Sequence, residues 1–167
     1  MNKVWSKRMT LVLLSLPFGA CVTAVVPSPA SDTRKSTILF ICPHGGAKSL
    51  IAASYFNRLA KEHALSYTGV AAAAEDPYES VPEPVAALLE GEGFSVRSFK
   101  PRNTNDDDLR LASRIISIDC DLEKFDGQGR SIERWDDVPK VSEDLAGSVS
   151  AIRAHLDRLV VALKAHR

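Results

Sequence analysis

Cysteine is scarce in this chain of 167 residues, which has three, at positions 21, 42 and 120. No CxxC pair occurs, and three scattered thiols are too few for a disulfide-rich secreted scaffold or a four-cysteine zinc site. We therefore predict no metal site and no cofactor, and each cysteine needs its own explanation.

An excess of charge of one sign is also lacking, because 21 Lys and Arg residues balance 21 Asp and Glu residues. Nonspecific nucleic-acid binding requires a broad basic surface, so we predict no nucleic-acid partner. Hydrophobic residues make up 45% of the sequence and charged residues 25%, which excludes a disordered, charge-rich polymer and predicts a folded core.

The N-terminal segment lacks a long apolar run, since its mainly apolar stretch covers only residues 9–18, whereas a membrane-spanning helix needs about 20 apolar residues. Three cations lie within residues 1–8, and the small residues Gly19 and Ala20 lead into Cys21. This order is typical of a secretory signal, and Phe-Gly-Ala-Cys resembles a bacterial lipobox, whose cysteine is acylated. We therefore expect residues 1–20 to be a signal sequence, of lipoprotein type if Cys21 is acylated, rather than a buried segment of a cytoplasmic domain.

Residues 21–36 are predicted to be a flexible tether, because they contain two prolines, several Ser and Thr residues and no helical period. The folded domain then covers residues 37–167. We expect an exported protein that is periplasmic or is held at the membrane only through an N-terminal lipid anchor.

Apolar patterning along the domain alternates between strands and helices. Apolar runs predict strands at 37–42, 67–74, 114–118 and 132–135, with a short strand or extended segment at 94–99. Helical spacing predicts helices at 49–64, from Pro82 or Pro84 to Gly91, a short one capped by Thr104 or Asn105, and a last one capped by Ser142. The expected fold class is α/β: a single three-layer domain with a parallel sheet of four strands, or five, and helices on both faces.

The loop between the first strand and its helix reads C-P-H-G-G-A-K-S, from Cys42 to Ser49. In a parallel α/β sheet, ligands bind at this end of the strands. Two glycines allow backbone N–H groups to turn inward as an anion cradle, and the helix N-terminus and a lysine add positive charge. The same groups stabilise a thiolate at Cys42. The sequence thus predicts a nucleophilic thiolate beneath a phosphate that is bound by the residues that follow: His44, Gly45, Gly46, Ala47, Lys48 and Ser49.

This motif resembles the signature of the low-molecular-weight protein-tyrosine phosphatases and their relatives, the thioredoxin-coupled arsenate reductases. That signature is a cysteine after an apolar strand, five loop residues and then Arg-Ser at the start of a helix. Cys42 and Ser49 match the cysteine and the serine, and His44 falls where arsenate-reductase-like members often carry histidine. Two positions differ: Gly45 replaces an asparagine, and Lys48 replaces an arginine whose planar fork binds two phosphate oxygens.

The resemblance implies roles for residues outside the loop. The family's general acid is an aspartate near a proline in a late loop, and Trp135-Asp136-Asp137-Val138-Pro139 is the matching segment, with Asp137 favoured over Asp136. Either one could instead be a solvated turn residue. Cys120 lies near the position of the reductases' resolving cysteine, so a regulatory Cys42–Cys120 disulfide is a hypothesis; a partly buried free thiol is the favoured alternative.

From this resemblance we predict a low-molecular-weight phosphatase-like protein that hydrolyses phosphomonoesters such as phosphotyrosine through a phosphocysteine on Cys42. The alternatives are a non-catalytic module that binds an oxyanion or a phosphoprotein, which Lys48 keeps open, and an arsenate reductase. The expected partner is a phosphorylated protein or a small oxyanion. A nucleotide-binding P-loop, with the Asp119 that ends IISID as a magnesium ligand, is disfavoured because Cys42 and Ala47 occupy both required glycine positions.

Overall fold

Four parallel strands form the sheet in the computed structural model, which describes residues 35–123 and 131–165. The strands are β1 (Ser36–Cys42), β2 (Tyr67–Ala73), β3 (Ala112–Ile118) and β4 (Ile132–Trp135). Their order across the sheet is β2-β1-β3-β4, and each neighbouring pair is parallel. The α/β class and the four-stranded alternative are therefore confirmed.

The helices that lie wholly within the described residues are α1 (Lys48–Glu62), α2 (Glu83–Gly91), α3 (Asp106–Leu111) and α4 (Leu145–Ala165). Successive side chains of β1 enter two separate apolar clusters, because residues alternate between the faces of a strand. The larger cluster contains Ile38 and Phe40 and joins the sheet to α1, α2 and α4. The smaller cluster contains Leu39 and Ile41 and joins the other face to Leu109 of α3. The three-layer arrangement follows from this division.

The first turn of α3 explains why a six-residue helix holds three consecutive aspartates. The Asn105 side chain accepts a hydrogen bond from the Asp108 N–H at 2.8 Å, and the Asp108 carboxylate accepts one from the Asn105 N–H at 3.0 Å. Negative charge in a first turn is also favoured by the helix dipole. Asn105 is therefore the cap, as one of the two predicted alternatives had it.

The cap of α4 differs from the prediction. Ser142 lies three residues before the helix start at Leu145, and Asp144 takes the capping position instead. Its carboxylate accepts a hydrogen bond from the Gly147 N–H at 2.7 Å. The prediction was wrong because both residues are good caps, and a turn through Lys140, whose carbonyl accepts from the Asp144 N–H, sets which one enters the helix.

The predicted strand or extended segment at 94–99 and the predicted N-terminal segments have different outcomes. Residues 94–99 pair with no strand; a turn closes there through the Phe99 N–H and the Val96 carbonyl. The predicted signal sequence, Cys21 and most of the predicted tether lie outside the described residues. Within the described part of the chain, no helix combines the length and apolar character needed to cross a bilayer.

Candidate functional site

The loop from residue 43 to residue 47 lies at the carboxyl edge of the sheet, between the end of β1 and the start of α1. Its backbone continues alongside the segment that follows β2. Three N–H groups of that segment donate to loop carbonyls: Ala74 to Cys42 at 3.0 Å, Glu75 to Pro43 at 2.9 Å and Tyr78 to His44 at 3.1 Å. The carbonyls are thus bound to the neighbouring segment, which leaves the opposite side of the loop to its N–H groups.

The N–H groups of residues 44–50 have no acceptor among the residues that the structure describes. Ala47, which precedes α1, offers no side-chain cap. The first N–H groups of a helix need partners from outside the helix, and an anion is a natural one because the dipole adds partial positive charge there. The predicted phosphate-binding segment therefore has donors free for an oxyanion.

Both loop glycines are required by their surroundings. Gly45 has φ +70°, and a Cβ atom there would lie 2.9 Å from the backbone nitrogen of Ala73. At Gly46 a Cβ atom would lie 2.9 Å from the ring of Pro101 and 3.2 Å from that of Tyr78. A side chain at either position would push the loop away from these neighbours.

The Cys42 thiol lies at the base of this loop, where the residue is 2% exposed. Its Sγ atom is 3.2 Å from the Oγ atom of Ser49, which is completely buried in the first turn of α1. A serine hydroxyl can accept from a thiol or donate to a thiolate, so this contact holds the sulfur in either protonation state. The predicted pair of Cys42 and Ser49 is brought together.

A cavity of about 390 Å³ opens above Cys42. One side is largely apolar, and it places the Tyr78 ring 4.7 Å from the His44 ring, centroid to centroid. The polar side chains at the cavity include a serine, two lysines and one carboxylate. The lining residues are Cys42, Pro43, His44, Ala47, Lys48, Tyr78, Pro82, Pro84, Asp119, Lys140, Val141 and Ser142.

The Lys48 side chain is only 7% exposed, and its ammonium group is already engaged. It donates to Asp119 Oδ2 at 2.5 Å and to the Val138 carbonyl at 3.1 Å. Asp119 directly follows β3, has φ +50°, and its N–H donates to the Trp135 carbonyl at 3.3 Å. The lysine at the arginine position is therefore paired with a carboxylate that the site prediction did not include.

Asp119 could have been found from the sequence by position alone. It is the first polar residue after the apolar run of β3, and β3 pairs with β1. The carboxyl ends of adjacent parallel strands meet at the ligand edge of a sheet. From the sequence, Asp119 is assigned only as the magnesium ligand of the disfavoured nucleotide-binding hypothesis.

The two aspartates predicted as acid candidates do not line the cavity. The Asp136 carboxylate is 3.2 Å from Arg134, and the Asp137 carboxylate is 2.6 Å from His155 of α4. The hydrogen bond from His155 lowers the pKa of Asp137. The Trp135 ring stacks on the His155 ring with centroids 4.5 Å apart, which explains why the chain that leaves β4 presents Asp137 to α4.

Cys120 follows β3, and its sulfur donates at 3.6 Å to the carbonyl of Ile41, the residue before Cys42. Cys120 packs in the smaller cluster with Leu39 and Ile41, whereas Cys42 belongs to the larger cluster on the opposite face. Burial raises the pKa of the Cys120 thiol. Both cysteines are free thiols in this structure.

No family model matches the chain, and a comparison with curated proteins gave no match. Solved structures with the same fold include YfkJ from Bacillus subtilis, at 19% identity and a TM-score of 0.68 over 80% of this chain and 97% of that one. A low molecular weight protein tyrosine phosphatase from Streptococcus pyogenes matches at 13% identity and 0.65 over 77% and 93%. A thioredoxin-dependent arsenate reductase from Corynebacterium glutamicum matches at 19% and 0.63 over 81% and 65%. The chain therefore has the low-molecular-weight phosphatase fold that the resemblance predicted.

Proposed function

We propose that this chain is a cysteine-dependent hydrolase of aryl phosphomonoesters such as phosphotyrosine. The observation that carries the proposal is the position of the Cys42 thiol at the base of a cavity, beside a loop and first helical turn whose N–H groups have no acceptor in the described structure. Tyrosine phosphatases among the solved structures with this fold add support.

In the first step, the Cys42 thiolate attacks the phosphorus atom and forms an S–P bond. The P–O ester bond breaks, and its electron pair leaves with the substrate oxygen. The N–H groups of residues 44–50 bind the equatorial oxygens, where charge accumulates in the transition state. The Ser49 hydroxyl orients the sulfur.

In the second step, water attacks the phosphocysteine, the S–P bond breaks, and phosphate and the Cys42 thiolate are released. Among the residues that line the cavity in the described structure, Asp119 carries the carboxylate, and its charge is balanced by Lys48. We assign it the proton of the attacking water, which it then releases to solvent. The first step has no assigned proton donor to the leaving oxygen, so leaving groups that are stable as anions are expected to react best.

The walls of the cavity favour an aromatic leaving group. Tyr78 and His44 form a tilted pair of rings, and two prolines extend the same apolar side. A flat aryl ring can pack against such a surface in an offset or edge-on arrangement. Phenols are also better anionic leaving groups than aliphatic alcohols. Shape and leaving-group chemistry therefore agree.

The covalent intermediate provides the direct test. The chain is mixed with an aryl phosphate, quenched in acid, digested and analysed by mass spectrometry. We expect phosphate on the peptide that contains Cys42 and none on the same peptide from Cys42→Ser. Hydrolysis that persists in Cys42→Ser at the wild-type rate would contradict the mechanism.

A second candidate function is oxyanion or phosphoprotein binding without turnover. The engagement of the Lys48 ammonium with Asp119 and Val138 favours it, because a single ammonium cannot reproduce the bidentate geometry of an arginine. If the wild type binds phosphate without hydrolysing aryl phosphates and Lys48→Arg gains turnover, the binding module is the correct assignment. Arsenate reduction has less support, since Cys120 lies on the other face of the sheet.

We also propose that the chain is exported and acylated at Cys21. The support is the order of cations, apolar run and small residues in the first 21 positions. Cell fractionation with metabolic labelling by a fatty-acid analogue tests this. Label that is lost in Cys21→Ala is the expected result, and unlabelled cytoplasmic wild type would contradict it.

A further inference from the structure

The ammonium group of Lys48 has little capacity left for a ligand. An ammonium carries three N–H donors. Two of them are taken by Asp119 Oδ2 and the Val138 carbonyl. An oxyanion in the cradle can therefore receive one hydrogen bond from Lys48, unless it displaces one of these acceptors.

The Asp119 carboxylate is placed to affect that ligand directly. Its side chain is 42% exposed, and it lines the same cavity as Cys42 and His44. The backbone fixes its position through a left-handed conformation and the hydrogen bond to the Trp135 carbonyl. A negative charge is thus held beside the site where an anion is expected to bind.

We propose that Asp119 is an internal counter-ion that competes with the bound oxyanion for Lys48 and keeps the affinity of the cradle for phosphate low. The proposal rests on the proposed function of the cradle and adds how tightly product is held. Both the repulsion between two anions and the competition for the ammonium weaken binding. For an enzyme that releases inorganic phosphate, weak product binding favours turnover.

This role is distinguishable from simple positioning of Lys48. If Asp119 only positioned the lysine to assist the ligand, its removal would weaken phosphate binding. A counter-ion has the opposite effect, so its removal tightens binding. The lysine stem is buried and the Val138 carbonyl remains as an acceptor, so Lys48 keeps its place without the carboxylate.

Calorimetric titration of the full chain with inorganic phosphate tests the sign of the effect. Asp119→Asn keeps an oxygen acceptor for Lys48 and removes the charge, and Asp119→Ser shortens the side chain as well. Asp157→Asn, which changes an exposed aspartate of α4 that does not line the cavity, is the control for net charge. We expect phosphate to bind about tenfold more tightly to both Asp119 variants and equally to the control and the wild type.

Phosphate binding that is unchanged or weaker in both Asp119 variants would overturn the counter-ion proposal and leave the proposed function intact. The same tightening in Asp157→Asn would also overturn it, because net charge would then be the cause. Absence of phosphate binding in every variant would overturn the proposed function, and the counter-ion proposal with it. Thermal unfolding of each variant establishes that the titrated protein is folded.

Discussion

Cys42 and Cys120 have the same side chain and nearly the same burial, yet the protein gives them opposite surroundings. Cys42 ends β1 and Cys120 follows β3 by two residues, so both lie near the carboxyl edge of the sheet. They are 2% and 8% exposed. Cys42 lies beside a cavity and a row of backbone N–H donors, whereas Cys120 packs in an apolar cluster where its sulfur also contacts the Ser117 hydroxyl and the Ile41 carbonyl.

Neighbouring groups, and not the extent of burial, therefore set the reactivity of a buried thiol. Burial raises the pKa of the Cys120 thiol, because the thiolate loses hydration, and the Ser117 hydroxyl offsets only part of that rise. The thiol also donates to the Ile41 carbonyl at 3.6 Å. Cys42 instead contacts the Ser49 hydroxyl and lies at the base of the cavity.

Turnover should separate the two cysteines most strongly. We expect Cys42→Ser to lose at least ~10³-fold in kcat/KM toward an aryl phosphate, because the nucleophile of the covalent step is removed. Cys120→Ser should remain within about twofold of the wild type, since its side chain does not line the cavity. Steady-state kinetics on the two variants checks this. Equal losses in both would mean that Cys120 takes part in the reaction.

Alkylation should separate them next. At neutral pH, iodoacetamide is expected to label Cys42 roughly 10²-fold faster than Cys120, because only the thiolate reacts and Cys120 stays protonated. Labelling of Cys120 should rise only at a pH above the ordinary thiol range. Timed labelling followed by peptide mass spectrometry measures both rates.

Phosphate provides the control for that experiment. An anion in the cradle covers Cys42, so phosphate should slow its labelling and leave Cys120 unaffected. Protection of Cys120 instead would show that the anion binds elsewhere.

The free energy of unfolding should fall more in Cys120→Ser than in Cys42→Ser, the reverse of the order expected for turnover. Cys120→Ser replaces a sulfur by a smaller and more polar hydroxyl, which loses packing in the apolar cluster and sits farther from the Ser117 hydroxyl and the Ile41 carbonyl that the sulfur contacts, so we expect a loss of about 1 kcal/mol in the free energy of unfolding. Cys42→Ser should cost less, because donor groups surround that position. Urea unfolding of both variants compares them, and a larger loss in Cys42→Ser would contradict the assignment of the two environments.

The pH dependence of stability is the smallest expected difference. The folded-state pKa of Cys120 is raised above its unfolded value. The contribution of Cys120 to the free energy of unfolding is therefore complete below the thiol pKa of the unfolded chain, about 8.5. It is lost as pH rises through the pKa of the folded state. Cys120→Ala should flatten the alkaline decline in unfolding free energy. An unchanged decline would assign it to other groups.

The sequence predicts well what local chemistry decides. The apolar run of β1, the two glycines and the amphipathic α1 specify strand, loop and helix in order. The contact between Cys42 and Ser49 follows from their spacing across that unit. Asn105 is likewise predictable as one possible cap of α3, because its side chain can accept a hydrogen bond from the first turn of the helix.

Local sequence patterns do not predict contacts between distant segments. Lys48 meets Asp119 across 71 positions, and only the adjacency of β1 and β3 brings them together. Asp137 was expected near Cys42, but the stacking of Trp135 on His155 presents it to α4. Each of these outcomes depends on which strands pair and on which ring packs against which, and neither property is visible in a local pattern.

The hydrogen bonds between the loop after β1 and the segment after β2 also bear on how this protein could be redesigned. The N–H group of Tyr78 is bonded to the carbonyl of His44, and the Tyr78 ring would lie 3.2 Å from a Cβ atom at Gly46. The aromatic wall and the anion cradle therefore form one mechanical unit. A substitution that reshapes the wall for a new substrate also moves the cradle, so selectivity and binding strength should change together in any series of Tyr78 variants.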